Sequence, residues 1–144
     1  MTHTSSFDIK TADDYLTEML LPQHEDFIKN NSSSRHALLT TIIAYHMYEW
    51  VHKTKFNQAS FNTNYPGSPD IAIDLEVARN ITNGTKHFKN KVKTRTQSGF
   101  SSGFSDGFAR PLNIEFPDGT EESADKFLRR LVSFWQTQKE QGAF

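Results

Sequence analysis

Between Arg35 and His52 the apolar side chains return every three or four residues. Leu38, Ile42, Tyr45 and Glu49 form one stripe, and Leu39, Ile43, His46 and Trp50 form its neighbour. An apolar face that wide has to be covered by other elements, so the segment predicts a central helix with Trp50 packed in the core. The rest of the chain must supply what packs around it. Thr11 is a natural N-cap for a helix over 12–21, where Tyr15, Leu16, Met19 and Leu20 share helical spacing, and Pro22 is expected to end or kink it. A further turn over 24–28 precedes Asn30-Asn31-Ser32-Ser33-Ser34, which reads as a connection. The polar stretch 57–69, with Pro66, Gly67 and Pro69, reads as a loop. Ser68 or Pro69 then opens a third helix carrying Ile71, Leu75, Ala78 and Thr82 on one face. Asp70, Asp74 and Glu76 lie toward its positive end, and Gly84 is expected to break or end it near His87. A last helix over 123–138 aligns Ala124, Phe127, Leu128, Leu131, Phe134 and Trp135.

After the third helix the period changes to two. Lys89, Lys91, Lys93 and Arg95 alternate with Asn90, Val92, Thr94 and Thr96, which predicts an exposed strand. Leu112, Ile114 and Phe116 alternate with Asn113 and Glu115 in its expected partner, and Asp118-Gly119 supplies a turn just beyond. Between them a Gly-Phe pair recurs three times, at 99–100, 103–104 and 107–108. The expected fold is therefore mainly α: a bundle of about four main helices with an inserted two-stranded β-hairpin. One domain spans 1–144, with the hairpin and Gly-Phe loop at about 89–117.

Composition removes several classes of function. There is no cysteine, so disulfides, thiol catalysis and thiolate metal sites are excluded. Sixteen basic against seventeen acidic side chains exclude a uniformly basic nucleic-acid coat. The balance is uneven, however, with six basic and ten acidic residues over 1–85 and ten basic and seven acidic over 86–144. Lys86, Lys89, Lys91, Lys93 and Arg95 fall together without a carboxylate between them, the spacing expected of a positive surface able to follow a nucleic-acid backbone, or of a solvated edge strand. The first ten residues lack the basic start and apolar middle of a signal peptide, and no stretch is apolar enough to span a membrane. A cytoplasmic protein without a membrane anchor is the expectation.

The segment Arg79–His87 gathers the most chemistry. Arg79, Asn83 and Lys86 project to one side of the third helix, with His87 about 80° around the axis from Arg79 at 100° per residue. A guanidinium can hold a phosphate through two N–H groups and an imidazole can move a proton near neutral pH, so the pair has the parts for metal-independent phosphodiester cleavage. The alternative is structural: Arg79 pairs with Asp74 or Glu76, while Asn83, Gly84 and His87 finish the helix. On the central helix, His46 and Glu49 suit a buried polar pair facing Arg79, with Glu49 a further candidate partner for it. Glu49-Trp50-Val51-His52 matches the Glu-x-x-His spacing of di-iron bundles, but no second copy occurs, so neither a metal nor another cofactor is expected. Walker, dinucleotide-binding and Gly-x-Ser-x-Gly motifs are absent from the sequence.

Ala44-Tyr45-His46-Met47-Tyr48-Glu49-Trp50 followed by Ala78-Arg79-Asn80-Ile81-Thr82-Asn83-Gly84-Thr85-Lys86-His87-Phe88, then a hairpin and a Trp-bearing last helix, resembles bacterial proteins of HEPN type over roughly 34–138. The resemblance implies a helical bundle and a ribonuclease site at a homodimer cleft. Arg79 would hold the scissile phosphate, Asn80 would orient the site and His87 would move protons, in the setting of host defence or a toxin–antitoxin pair. It is similarly compatible with a member that cleaves nothing and instead binds a nucleotide or a protein, its Arg/His/Glu cluster bracing the bundle.

Overall fold

The computed structural model describes residues 5–88, 91–96 and 112–144. Its helices are α1 (Ala12–Tyr15), α2 (Leu21–Lys29), α3 (Ser34–His52), α4 (Gln58–Asn64), α5 (Pro69–His87) and α6 (Ala124–Glu140). Three short strands, β1 (Thr94–Thr96), β2 (Leu112–Glu115) and β3 (Glu121–Ser123), form one antiparallel sheet in the order β1-β2-β3. The chain is thus mainly helical, as the sequence periodicities require, with a small sheet inserted between the last two helices.

Local chemistry explains where the helices begin. Thr11 accepts a hydrogen bond from the Asp14 amide at 3.0 Å, and the Asp14 carboxylate accepts from the Thr11 amide at 3.2 Å, a reciprocal cap on α1. Ser33 caps α3 through the His36 amide, and Ser123 caps α6 through the Lys126 amide. Pro22 does not stop the first helical run. A π-helical turn over Leu16–Leu20 joins α1 to α2, and the Leu21 amide reaches back to the Leu16 carbonyl. The frame shifts by one residue, so Pro22 falls in the first turn of α2, where a missing N–H costs little.

Three expectations need correction. The stretch 57–69 is not all loop, because Asn57 caps the two-turn helix α4 through the Ser60 amide at 3.0 Å. Phe61 anchors that helix: it is fully buried, with ring centroids 4.8 Å from Tyr65 and 5.6 Å from Phe134. The sheet, moreover, has a third strand. After the Asp118-Gly119 turn, in which Gly119 adopts φ +88° and Thr120 hydrogen-bonds Asp118, β3 pairs Glu122 with Ile114 and Glu115 with Glu121. Gly84 also does not break α5, which runs to His87 and ends on Phe88 in the left-handed conformation at φ +62°. Lys89 and the Gly-Phe segment lie outside the described residues.

The helix α3 runs through the centre, packed against α2, α5 and α6. Tyr48 of α3 is fully buried, as are Phe27, Phe61, Leu75, Leu128 and Trp135 from the elements around it. The sheet lies on α6 through Ile114 and the edge-on contact of Phe116 with Phe127, whose centroids are 5.9 Å apart.

Candidate functional site

The helix α5 carries Arg79, Asn80, Asn83, Lys86 and His87 in two and a half turns, and the structure separates what the spacing had grouped. Arg79 is bound to Glu76 one turn earlier, with Nη2 2.6 Å from Oε1 and Nε 3.1 Å from Oε2. This two-point grip raises the guanidinium above its ordinary pKa and fixes it along its own helix. Neither Asp74 nor Glu49 is its partner. Eight residues on, His87 is exposed at the C-terminal end, about 12 Å farther along the axis at 1.5 Å per residue. Asn80 is half-buried beside Arg79, and Asn83 and Lys86 are exposed.

Across from Arg79 stands α3. Burial and, next, the Glu49 carboxylate raise the Tyr45 hydroxyl above its usual pKa, with Arg79 opposing and Glu76 adding to the effect. Tyr45, Glu49, Arg79 and Glu76 therefore share one polar neighbourhood between α3 and α5. His46 turns elsewhere: its Nδ1 lies 2.8 Å from the Ile42 carbonyl of its own helix, and its ring meets Tyr45 edge-on at 5.0 Å. His52, the imidazole of the Glu-x-x-His spacing, is 2.6 Å from the Tyr65 hydroxyl through Nε2. Among the described residues no three His, Asp or Glu side chains are arranged to hold a metal ion.

The basic run is partly neutralised across the sheet. Arg95 meets Glu121, and Lys93 lies 3.8 Å from Glu115. Lys86 and Lys91 are exposed.

Two features escaped the sequence reading. The first is an ionic brace on a buried carboxylate. Arg130 on α6 holds Asp74 on α5 at 2.7 and 2.9 Å, also bonds Glu122 on β3, and lies 6.0 Å over the Phe116 ring. Asp74 is only 2% exposed, and its burial pushes the carboxyl up while Arg130 pulls it down. The charges sit 56 residues apart, so no local spacing could reveal them.

The second is an open groove of about 1290 Å³ at the C-terminal end of α3. Trp50, expected in the core, is instead half-buried on the groove wall, stacked on Tyr15 at 5.0 Å. The Tyr15 hydroxyl donates to the Ile43 carbonyl at 2.9 Å, and burial pushes its pKa well above the usual range. Ile9 and Met19 extend the apolar wall, Glu49 adds a carboxylate to the lining, and Lys53 lies over the Trp50 ring at 5.8 Å. The one clue in the sequence was Trp50 at the exposed end of the central helix, three residues before Lys53.

Such an arrangement can bind: an aromatic wall, a cationic rim and a polar cluster beside it. Proton transfer to a phosphate held by Arg79 would require His87 to cross two helical turns. Among the described residues no helix is long and apolar enough to cross a membrane. No family model, curated protein or solved structure matches the chain.

Proposed function

We propose that this chain is a non-catalytic interaction module, a helical domain that binds a protein partner through the Trp50 groove. The Arg79–Glu76 pair lies along α5, beside Tyr45 and Glu49 of α3, as a structural polar cluster. The reading rests on one observation: Arg79 pairs with Glu76 on its own helix while His87, the only imidazole on α5, stands about two turns farther along the axis, so guanidinium and imidazole are not gathered at one point. The groove supports the binding role, since it sets the Tyr15–Trp50 stack between Lys10, Lys53 and Lys55, an aromatic wall with a cationic rim open to a partner.

Incubation of the purified protein with total RNA tests this against the ribonuclease implied by the HEPN resemblance. Neither the wild type nor Arg79→Ala is expected to cleave. Cleavage by the wild type that disappears in both Arg79→Ala and His87→Ala would overturn the reading and give Arg79, Asn80 and His87 their catalytic roles. Cleavage retained by both variants would equally overturn it, and would move the active site away from α5.

A further inference from the structure

At the rim of the Trp50 groove the chain makes a turn that is costly in two ways. Ser6 and Ile9 face each other across an isolated antiparallel bridge, with the Ile9 amide 3.0 Å from the Ser6 carbonyl. The two residues between them, Phe7 and Asp8, both adopt left-handed backbone at φ +51° and +67°. Such a tight turn normally carries Asn or Gly at these positions, because a Cβ is crowded there and a bulky ring more so. Phe7 is also 100% exposed, its whole ring in water. Strain and exposure together present one phenyl ring outward from the wall of an apolar groove, with a carboxylate as its neighbour.

The groove has the complementary character. Its wall is the Tyr15–Trp50 stack with Ile9 and Met19, and its rim carries Lys10, Lys53 and Lys55 against the single carboxylate of Glu49. Neither Lys53 nor Lys55 forms an ion pair among the described residues. The occupant that fits has an aromatic knob beside an anion, and the Phe7-Asp8 pair on the rim is such a segment. Because knob and socket lie on one face, a two-fold axis at the groove edge would satisfy both at once, as an isologous contact requires.

We infer that the partner in this groove is a second copy of the chain, with Phe7 of each protomer seated against the other's Trp50 and Asp8 facing the other's Lys53 and Lys55. The inference rests on the interaction-module reading and names its partner.

Sedimentation equilibrium of the full chain, from sub-micromolar to hundreds of micromolar, reads it directly. The wild type is expected to dimerise. Phe7→Ser should weaken association at least about tenfold, the loss of a central aromatic anchor. That side chain is wholly exposed, so circular dichroism of the variant should match the wild type. Asp8→Lys should weaken association as well, and combining it with Lys53→Asp should restore part of the loss, a recovery that a merely structural turn would not produce. Tryptophan emission should shift on dilution and stop doing so in Trp50→Phe, since Trp135 is fully buried.

A wild type that stays monomeric over this range overturns the inference, as does a dimer indifferent to Phe7→Ser and Asp8→Lys. The RNA assay separates the two readings. A monomer that leaves RNA intact removes only the second copy as partner, whereas a monomer that cleaves through Arg79 removes the interaction module with it.

Discussion

Two arginines show how burial decides what an ion pair does. Arg79 and Glu76 sit one turn apart, each about a third exposed, so water and salt screen them and both can be solvated separately. Asp74 has no such recourse, because at 2% exposure its carboxylate depends on Arg130. Urea denaturation should therefore separate them: Arg79→Ala is expected to cost less than about 1 kcal/mol, and Arg130→Ala about 3–5 kcal/mol by leaving a buried charge unpaired. The larger cost should shrink in acid. Burial already raises the Asp74 carboxyl, and without Arg130 it rises further, so the variant escapes its penalty by taking up a proton. Equal losses for the two variants would refute the distinction.

At the scale of elements, α4 hangs on one ring. The helix has two turns, a polar sequence and the buried Phe61, which fits among Tyr48, Tyr65 and Phe134. Phe61→Ala is expected to destabilise the fold by about 3–5 kcal/mol, while loss of the cap in Asn57→Ala should cost only about 1 kcal/mol. Amide exchange would show protection of α4 falling first in both. The same economy explains why α4 was illegible in the sequence. A single Phe among Asn, Gln, Ser and Thr has no period, whereas Leu75, Ala78 and Thr82 in α5, or Phe127, Leu131 and Trp135 in α6, repeat often enough to mark a face. Glu121-Glu122-Ser123 likewise has no apolar alternation and pairs through backbone register set by the preceding turn. Pro22 does not end the run, because a π turn can move a residue into a helix's first turn. For the candidate site, the sequence placed Arg79, Asn80 and His87 on one helix correctly. It left open whether Glu76, Asp74 or Glu49 takes Arg79, because that choice is made by side-chain conformation and tertiary distance rather than by spacing.

Across the whole molecule, stability should depend on pH through two histidines in separate interfaces. His24 on α2 is held below its ordinary pKa by burial and by Arg129 on α6, with Asp125 opposing. Burial lowers His52 on α3 as well. Its partner Tyr65 is pushed up to about 12, so the hydroxyl keeps its proton and can donate it to a neutral Nε2. A charged imidazole would leave that hydroxyl without its acceptor. For both groups the folded pKa lies below the unfolded value of 6.5, so the unfolded chain binds protons that the folded chain refuses. Their contribution is complete above 6.5 and is lost as the pH falls through the folded values. Asp14 and Asp118 are lowered from 3.8 by hydrogen bonds, so their contributions fade only in stronger acid. Asp74, raised by burial, works in the opposite direction by favouring the folded state on protonation. Thermal melts from about pH 8 to about pH 5 should therefore show a flat Tm that begins to fall near the histidine range. His24→Gln combined with His52→Gln should flatten the fall, since glutamine keeps an acceptor for Tyr65 and has no proton to gain. A wild-type Tm constant over that interval, or a slope unchanged in the double variant, would show that neither imidazole is held neutral by the fold.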